Sequence, residues 1–168
     1  MRFVSSPLNY VTFLALLLTL SSPVRCMAQS RPSNPLTGID TLYVVVEDIS
    51  PEYERYITPD RIRTIAELRL RQSGVTVIPR GEARLEPHLY ILVSMIAPDS
   101  RSVFGYLVQV AVRTSSESAY NNAMVLGEHW GAGGIGTSNA KDLRKNVESM
   151  LGDYLDEFLN QVLAANPQ

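Results

Sequence analysis

Cysteine is almost absent: Cys26 is the only one in 168 residues. One thiol forms no intramolecular disulfide and supplies no Cys-based zinc set. Histidine is nearly as scarce. His88 and His129 stand 41 residues apart, so neither a metal nor any other cofactor is expected. Long apolar runs are missing too. The strongest is residues 11–20 (VTFLALLLTL), well short of the roughly 20 residues a membrane-spanning helix needs. There is no excess of positive charge either: 15 Lys and Arg stand against 17 Asp and Glu, a net charge of −2, which argues against a nucleic-acid partner. Nucleophiles are equally hard to find. Ser115, Ser116 and Ser118 lie in a polar stretch without the G-x-S-x-G turn that exposes a nucleophile, and spacing singles out no carboxylate pair for acid–base work. The chain reads as a non-enzyme.

What the N-terminus does contain is an export signal. Arg2 precedes the apolar run, and Cys26 and Ala28 put small residues at −3 and −1 of a cleavage site, so residues 1–28 read as a signal peptide. An acylated Cys26 would need a small residue before it, where Arg25 stands. Cleavage after Ala28 leaves 140 residues, enough for one domain with its own core. Loss of Arg2 and Arg25 leaves 13 basic residues against 17 acidic ones, a net charge of −4. No membrane span remains after cleavage, and the expected destination is periplasmic or extracellular.

Residues 29–40, rich in Ser, Pro and Asn, read as a flexible linker before a single domain over 41–165. Residues 42–47 (LYVVVE) are β-branched and aromatic, a central strand. Thr58, Pro59 and Asp60 are an N-cap, a first-turn proline and a first-turn acid, which predicts a helix. Its buried stripe is Ile62, Ile65, Ala66 and Leu70, and Gly74 ends it as a left-handed cap. A short strand at 75–78 makes a β-α-β start with parallel strands. Strands at 89–96, 106–113 and 123–130 then follow as a meander, with a turn at Pro98, Asp99 and Ser100 and a polar loop at 114–122. Thr137 or Ser138 caps the longest helix, whose stripe is Leu143, Val147, Met150, Leu151, Tyr154, Phe158 and Val162, ending at Asn166 and Pro167. Gly152 faces away from that stripe and has no evident reason to be there. The fold expected is α+β, in the order β-α-β-β-β-β-α, with one mixed, mostly antiparallel sheet and both helices on one face.

Between the fifth strand and the last helix, Gly131, Gly133 and Gly136 match the G-x-G-x-x-G spacing of dinucleotide-binding loops. That fingerprint needs a second strand ending in an acid roughly 20 residues on, and here the last helix occupies that position. Gly131, Gly133, Gly134 and Gly136 are therefore expected as a structural turn, supplying positive φ or close backbone contact. A small-ligand or nucleotide site at this turn is the alternative. The arginines around the first helix, Arg61, Arg63, Arg69 and Arg71, read as an anion patch or, more simply, as partners of Glu67 and the acidic second half of the last helix. On the sheet, Leu42, Val44, Val46, Val108, Val110 and Val112 share the helix-covered face. Tyr43, Val45, Tyr90, Leu92, Leu107 and Ala111 point the other way. A water-facing sheet side should alternate toward polar residues, and this one does not, which marks those six as a candidate face for a protein partner, self-association or a covering loop.

Leu42-Tyr43-Val44-Val45-Val46-Glu47-Asp48, Leu68-Arg69-Leu70-Arg71-Gln72-Ser73-Gly74, Leu89-Tyr90-Ile91, Trp130 with Gly133-Gly134-Ile135-Gly136, and Phe158-Leu159-Asn160 to Asn166-Pro167 together resemble a family of small exported bacterial proteins of uncharacterised activity. The element order is more distantly similar to the amino-terminal domain of the Tol system propeller protein and to curli secretion lipoproteins. That resemblance implies an envelope setting and action through protein contacts, with an unknown protein partner or a homo-oligomer. The export reading is checked by mass spectrometry of the exported protein, which should begin at Gln29; an intact Met1 or an acylated Cys26 would overturn it.

Overall fold

The computed structural model describes residues 34–81, 87–97 and 102–167. The expected signal peptide, the first part of the expected linker and the turn at Pro98, Asp99 and Ser100 lie outside these residues. The described elements are β1 (Thr41–Val46), α1 (Pro59–Gln72), β2 (Thr76–Val77), β3 (His88–Ile96), β4 (Phe104–Glu117), β5 (Met124–Ser138) and α2 (Leu143–Ala165). They build one mixed sheet in the order β2-β1-β3-β4-β5. β1 runs parallel to both its neighbours, while β3, β4 and β5 form an antiparallel meander. The α+β arrangement matches the one the sequence patterns imply.

Local chemistry accounts for most of the elements. Thr58 is extended, and its hydroxyl accepts a hydrogen bond from the Arg61 amide at 3.3 Å, which starts α1. Gly74 takes a left-handed φ of 85, and the Val75 amide returns to the Leu70 carbonyl at 3.0 Å, which closes α1. β1 alternates half-buried and buried side chains, with Leu42, Val44 and Val46 on the helix side. These meet Leu89, Ile91 and Val93 of β3, Val108, Val110 and Val112 of β4, and the stripe Ile62, Ala66 and Leu70 of α1 in one core. α2 supplies Leu143, Val147, Leu151, Leu155 and Phe158, all fully buried. Trp130 closes the core at β5, its ring 5.2 Å from Phe158 and its indole N–H donating to Gln161 Oε1 at 3.0 Å. The loop after β1 is pinned where the rings of Tyr56 and Tyr53 meet Phe104 edge-on.

Five sequence expectations are corrected. The linker stops short of 40: Leu36 is buried, and Asn166 binds the segment around it. The Asn166 carboxamide donates to the Leu36 carbonyl at 2.9 Å and accepts from the Gly38 amide at 2.6 Å, so this stretch belongs to the folded unit. β4 continues to Glu117 through residues expected as loop, because β5 pairs with it out to Met124. α2 begins at Leu143 after Asp142, not directly at Thr137 or Ser138. Gly152 is buried and faces α1; a Cβ there would lie 2.8 Å from Arg69 Nη2, so the missing side chain makes room for an arginine between the helices.

The largest correction concerns the glycines. Gly131, Gly133, Gly134 and Gly136 are not a turn; they lie within β5, paired in unbroken register with residues 106–111 of β4. None of them has positive φ. Gly134 and Gly136 share the helix-covered face with Trp130, and a Cβ on either would run into a tyrosine: the Tyr154 hydroxyl over Gly134, the Tyr106 ring over Gly136. They are bare so that two aromatic side chains can lie flat against the strand. Gly131 is on the opposite face, where a Cβ would press on the movable end of Glu128 and otherwise make ordinary contact with the Ala111 methyl. Urea unfolding should therefore separate them. Gly136→Ala is expected to cost about 1–3 kcal/mol through overpacking, and Gly131→Ala less than about 0.5 kcal/mol. Equal effects would mean the tyrosine packing is not what the glycines serve.

Candidate functional site: the open sheet face and its edge

Both helices cover one side of the sheet, so the other side is left to the alternate residues of each strand. The two ends of this face differ in chemistry. At one end Tyr43 stacks on His88, ring centroids 5.1 Å apart, and Arg113 lies over the Tyr90 ring at 3.7 Å. Arg113 also reaches Glu128 of β5 at 3.5 Å, and the Tyr90 hydroxyl hydrogen-bonds Glu47. Burial first, then that hydrogen bond and the charge of Glu47, push the Tyr90 pKa up against the opposing pull of Arg113. His88 is pushed the other way: burial, then the positive charges of Arg113 and Arg80, hold its pKa below the usual 6.5. These rings and charges satisfy one another and close this end.

At the other end the face is bare. Ile96 and Ile135 are 71% and 77% exposed, well above the half-buried Tyr43, Val45, Tyr90, Leu92 and Leu107 of the same face. Between them Ser94, Gly105 and Leu107 floor a shallow groove of about 140 Å³. Gly105 keeps that floor low, since a Cβ there would sit 3.1 Å from Ile96 Cγ1.

The six residues expected on this face are all on it, but they are not equivalent. Tyr43, Val45, Tyr90, Leu92 and Leu107 are half-buried. Ala111 is fully buried, in register between Tyr90 and Gly131, so it offers no surface of its own to this face. Ile96 and Ile135 were missed. Ile96 has the same parity in β3 as Tyr90 and Leu92, so strict alternation finds it; Ile135 was hidden by the reading of 131–136 as a turn.

β5 is the sheet's edge, and it is long. Its 15 residues carry neither proline nor lysine, the residues that usually guard such edges. Among the described residues, nothing pairs with its outer side. A bulge falls where Val112 pairs with Trp130 and Arg113 with Glu128, leaving His129 as the extra residue. Its Nε2 is buried without a hydrogen-bond partner among the described residues, so this histidine is packed rather than solvated. Past the bulge the β4–β5 hairpin carries exposed Met124, Val125 and Leu126, with Tyr120 fully exposed at its tip.

Two other sequence-level ideas meet the geometry here. The G-x-G-x-x-G spacing falls inside β5 and not at a helix N-terminus, so the loop that would cradle a pyrophosphate does not form at these glycines. The four arginines of α1 are each paired: Arg61 with Glu148 at 3.1 Å, Arg63 with Asp60 at 2.8 Å, Arg71 with Glu67 at 2.9 Å, and Arg69 with Asp156. Among the described residues, no group of three or more His, Cys, Asp or Glu is placed to hold a metal ion, and no helix is long and apolar enough to cross a membrane.

No protein-family model matches the chain, and no curated protein does. Among solved structures, a minor lipoprotein from Acinetobacter baumannii is similar at 8% identity with a TM-score of 0.40, over 76% of this chain and 93% of that one.

His88 gives this face a measurable pH dependence. Its folded-state pKa lies below the unfolded value, so the unfolded chain binds the extra proton and stability falls as pH drops through about 6.5. Denaturant unfolding at pH 7.5 and 5.5 should show a larger loss in the wild type than in His88→Phe, which keeps a ring against Tyr43. Equal losses would remove His88 from the explanation.

Proposed function

We propose that this is an exported, non-enzymatic binding module of the bacterial envelope, which takes up an extended segment of a partner protein as a sixth strand along β5. The observation that carries the reading is the bare edge of β5 beside Ile135 and Ile96. A row of alternating backbone donors and acceptors is matched by another extended backbone, and the apolar groove next to it offers a pocket for one of the added strand's alternate side chains. Gly131 and Gly133, on the open face of the same strand, present no side chains to obstruct the incoming segment. The similarity in element order to Tol and curli envelope domains, which act through protein contacts, supports the same reading.

The test uses the mature protein and a displayed library of random peptides. Enriched sequences should alternate apolar and polar residues, protect β5 amides from hydrogen exchange, and bind Ile135→Asp at least roughly tenfold more weakly, the scale of losing a buried apolar anchor. Peptides whose protection maps to α1 or α2, or whose binding ignores Ile135→Asp, would end this proposal. A dimer by light scattering, lost in Ile135→Asp, would make a second copy the strand that is added.

A further inference from the structure

A second surface lies at the end of the sheet where α2 begins. A groove of about 610 Å³ runs between the loop after β1, the first turn of α1 and the first turns of α2. Four cationic side chains line it: Arg55, Arg61, Arg144 and Lys145, with Glu54 and Glu148 as its acids. Glu148 is already taken, since Arg61 holds both its oxygens at 3.1 and 3.4 Å. Arg55 is held in place by Tyr56, its guanidinium 4.8 Å from the ring centroid and donating to the hydroxyl at 3.0 Å, and Tyr56 brings no negative charge against it. Arg144 and Lys145 are exposed and have no acidic partner among the described residues. The groove is therefore left with three cations, Arg55, Arg144 and Lys145, against one acid, Glu54, an excess of two positive charges on a chain whose overall charge is negative.

The placement of two of these cations works against the helix that carries them. The first turn of α2 contains no acid, and its N-cap Asp142 makes no side-chain cap bond. Positive residues there face the positive end of the helix dipole, where acids stabilise and bases do not. α1, built by the same chain, follows the rule with Thr58 and Asp60. Apart from the N-cap Asp142 itself, α2 thus breaks at its start a local rule that α1 obeys, the kind of departure that points to a role outside the helix.

We propose that this groove binds a phosphate-bearing ligand. A phosphate monoester carries close to two negative charges at neutral pH, which matches the groove's excess, whereas a single carboxylate leaves half of it unmatched. The guanidinium forks of Arg55 and Arg144 suit phosphate oxygens two at a time, and Lys145 adds a point charge. The groove's volume falls in the range of small-ligand sites and exceeds what a lone phosphate needs, so the phosphate belongs to a larger molecule, either a soluble phosphorylated compound or a lipid headgroup. The site is independent of the β5 edge and shares no residue with it.

Mature protein is titrated with glycerol 3-phosphate and inorganic pyrophosphate by thermal shift, and with vesicles of phosphatidylcholine with and without phosphatidic acid by co-sedimentation. The expected result is saturable, salt-sensitive binding in at least one arm, weakened at least about tenfold in R144Q/K145Q and unchanged in R71Q, a cation elsewhere on the surface. Binding by the soluble compounds alone identifies a soluble ligand; binding by the phosphatidic acid vesicles, a headgroup. Either supports the site. No binding in any arm, or equal loss in R71Q, overturns it. Because Ile135→Asp leaves this groove intact, its anion binding should equal that of the wild type, which separates failure here from failure of the strand-addition reading.

Discussion

Everything in this fold depends on one-sided burial. Two helices are enough apolar surface to cover one face of a five-stranded sheet, and both are used on the same face. The core is therefore a single layer between helix and strand, and its quality rests on how closely α2 can approach β5. Gly134 sets that distance by admitting Tyr154 of α2 against bare backbone, and Gly136 makes room in the same layer for Tyr106 of the neighbouring β4. Gly152 does the equivalent between the helices by admitting Arg69. With every helix committed to one side, the opposite face has only side chains to cover it, and they succeed at the His88 end and not at the Ile135 end.

The two candidate surfaces differ in kind. The β5 edge offers backbone, which reads shape and extension and is indifferent to most side chains. The groove at the start of α2 offers charge, whose strength falls with salt and whose reach exceeds contact distance. Affinity at the first depends on order in the incoming segment, since a chain that must be straightened gives back part of what the new hydrogen bonds supply. Affinity at the second needs no such ordering of a polypeptide. The two surfaces share no residue, so occupancy of one would not block the other.

Much of this was legible in the sequence where the cause was local. Thr58, Pro59 and Gly74 announced α1 through caps that depend on neighbouring residues alone, and the apolar periodicity of α2 and the meander of β3, β4 and β5 were equally readable. The misreadings share a distant cause. Glycines in a row signal a turn because they weaken strands, and only the tyrosines arriving from Tyr106 and Tyr154 explain why β5 tolerates them. Leu36 looked like linker because its partner, Asn166, lies at the other end of the domain. Residues 114–117 looked like loop because polar side chains hide a strand whose pairing is supplied by β5. The groove was invisible for the same reason: Arg55 and Arg144 come together only once α1 and α2 are side by side.

The Asn166 clamp has a geometric consequence. By tying residues 36–38 to the last turn of α2, it makes the folded unit start and finish at one spot, beside the strand ends from which the β4–β5 hairpin extends. The loop carrying Arg55 and the first turn of α2 lie at the far end, next to Phe104 and Ser138. The domain therefore has a rear and a front. The Asn166 clamp and the hairpin thus share the rear, and the cationic groove, with Arg55 and the first turn of α2, makes up the front.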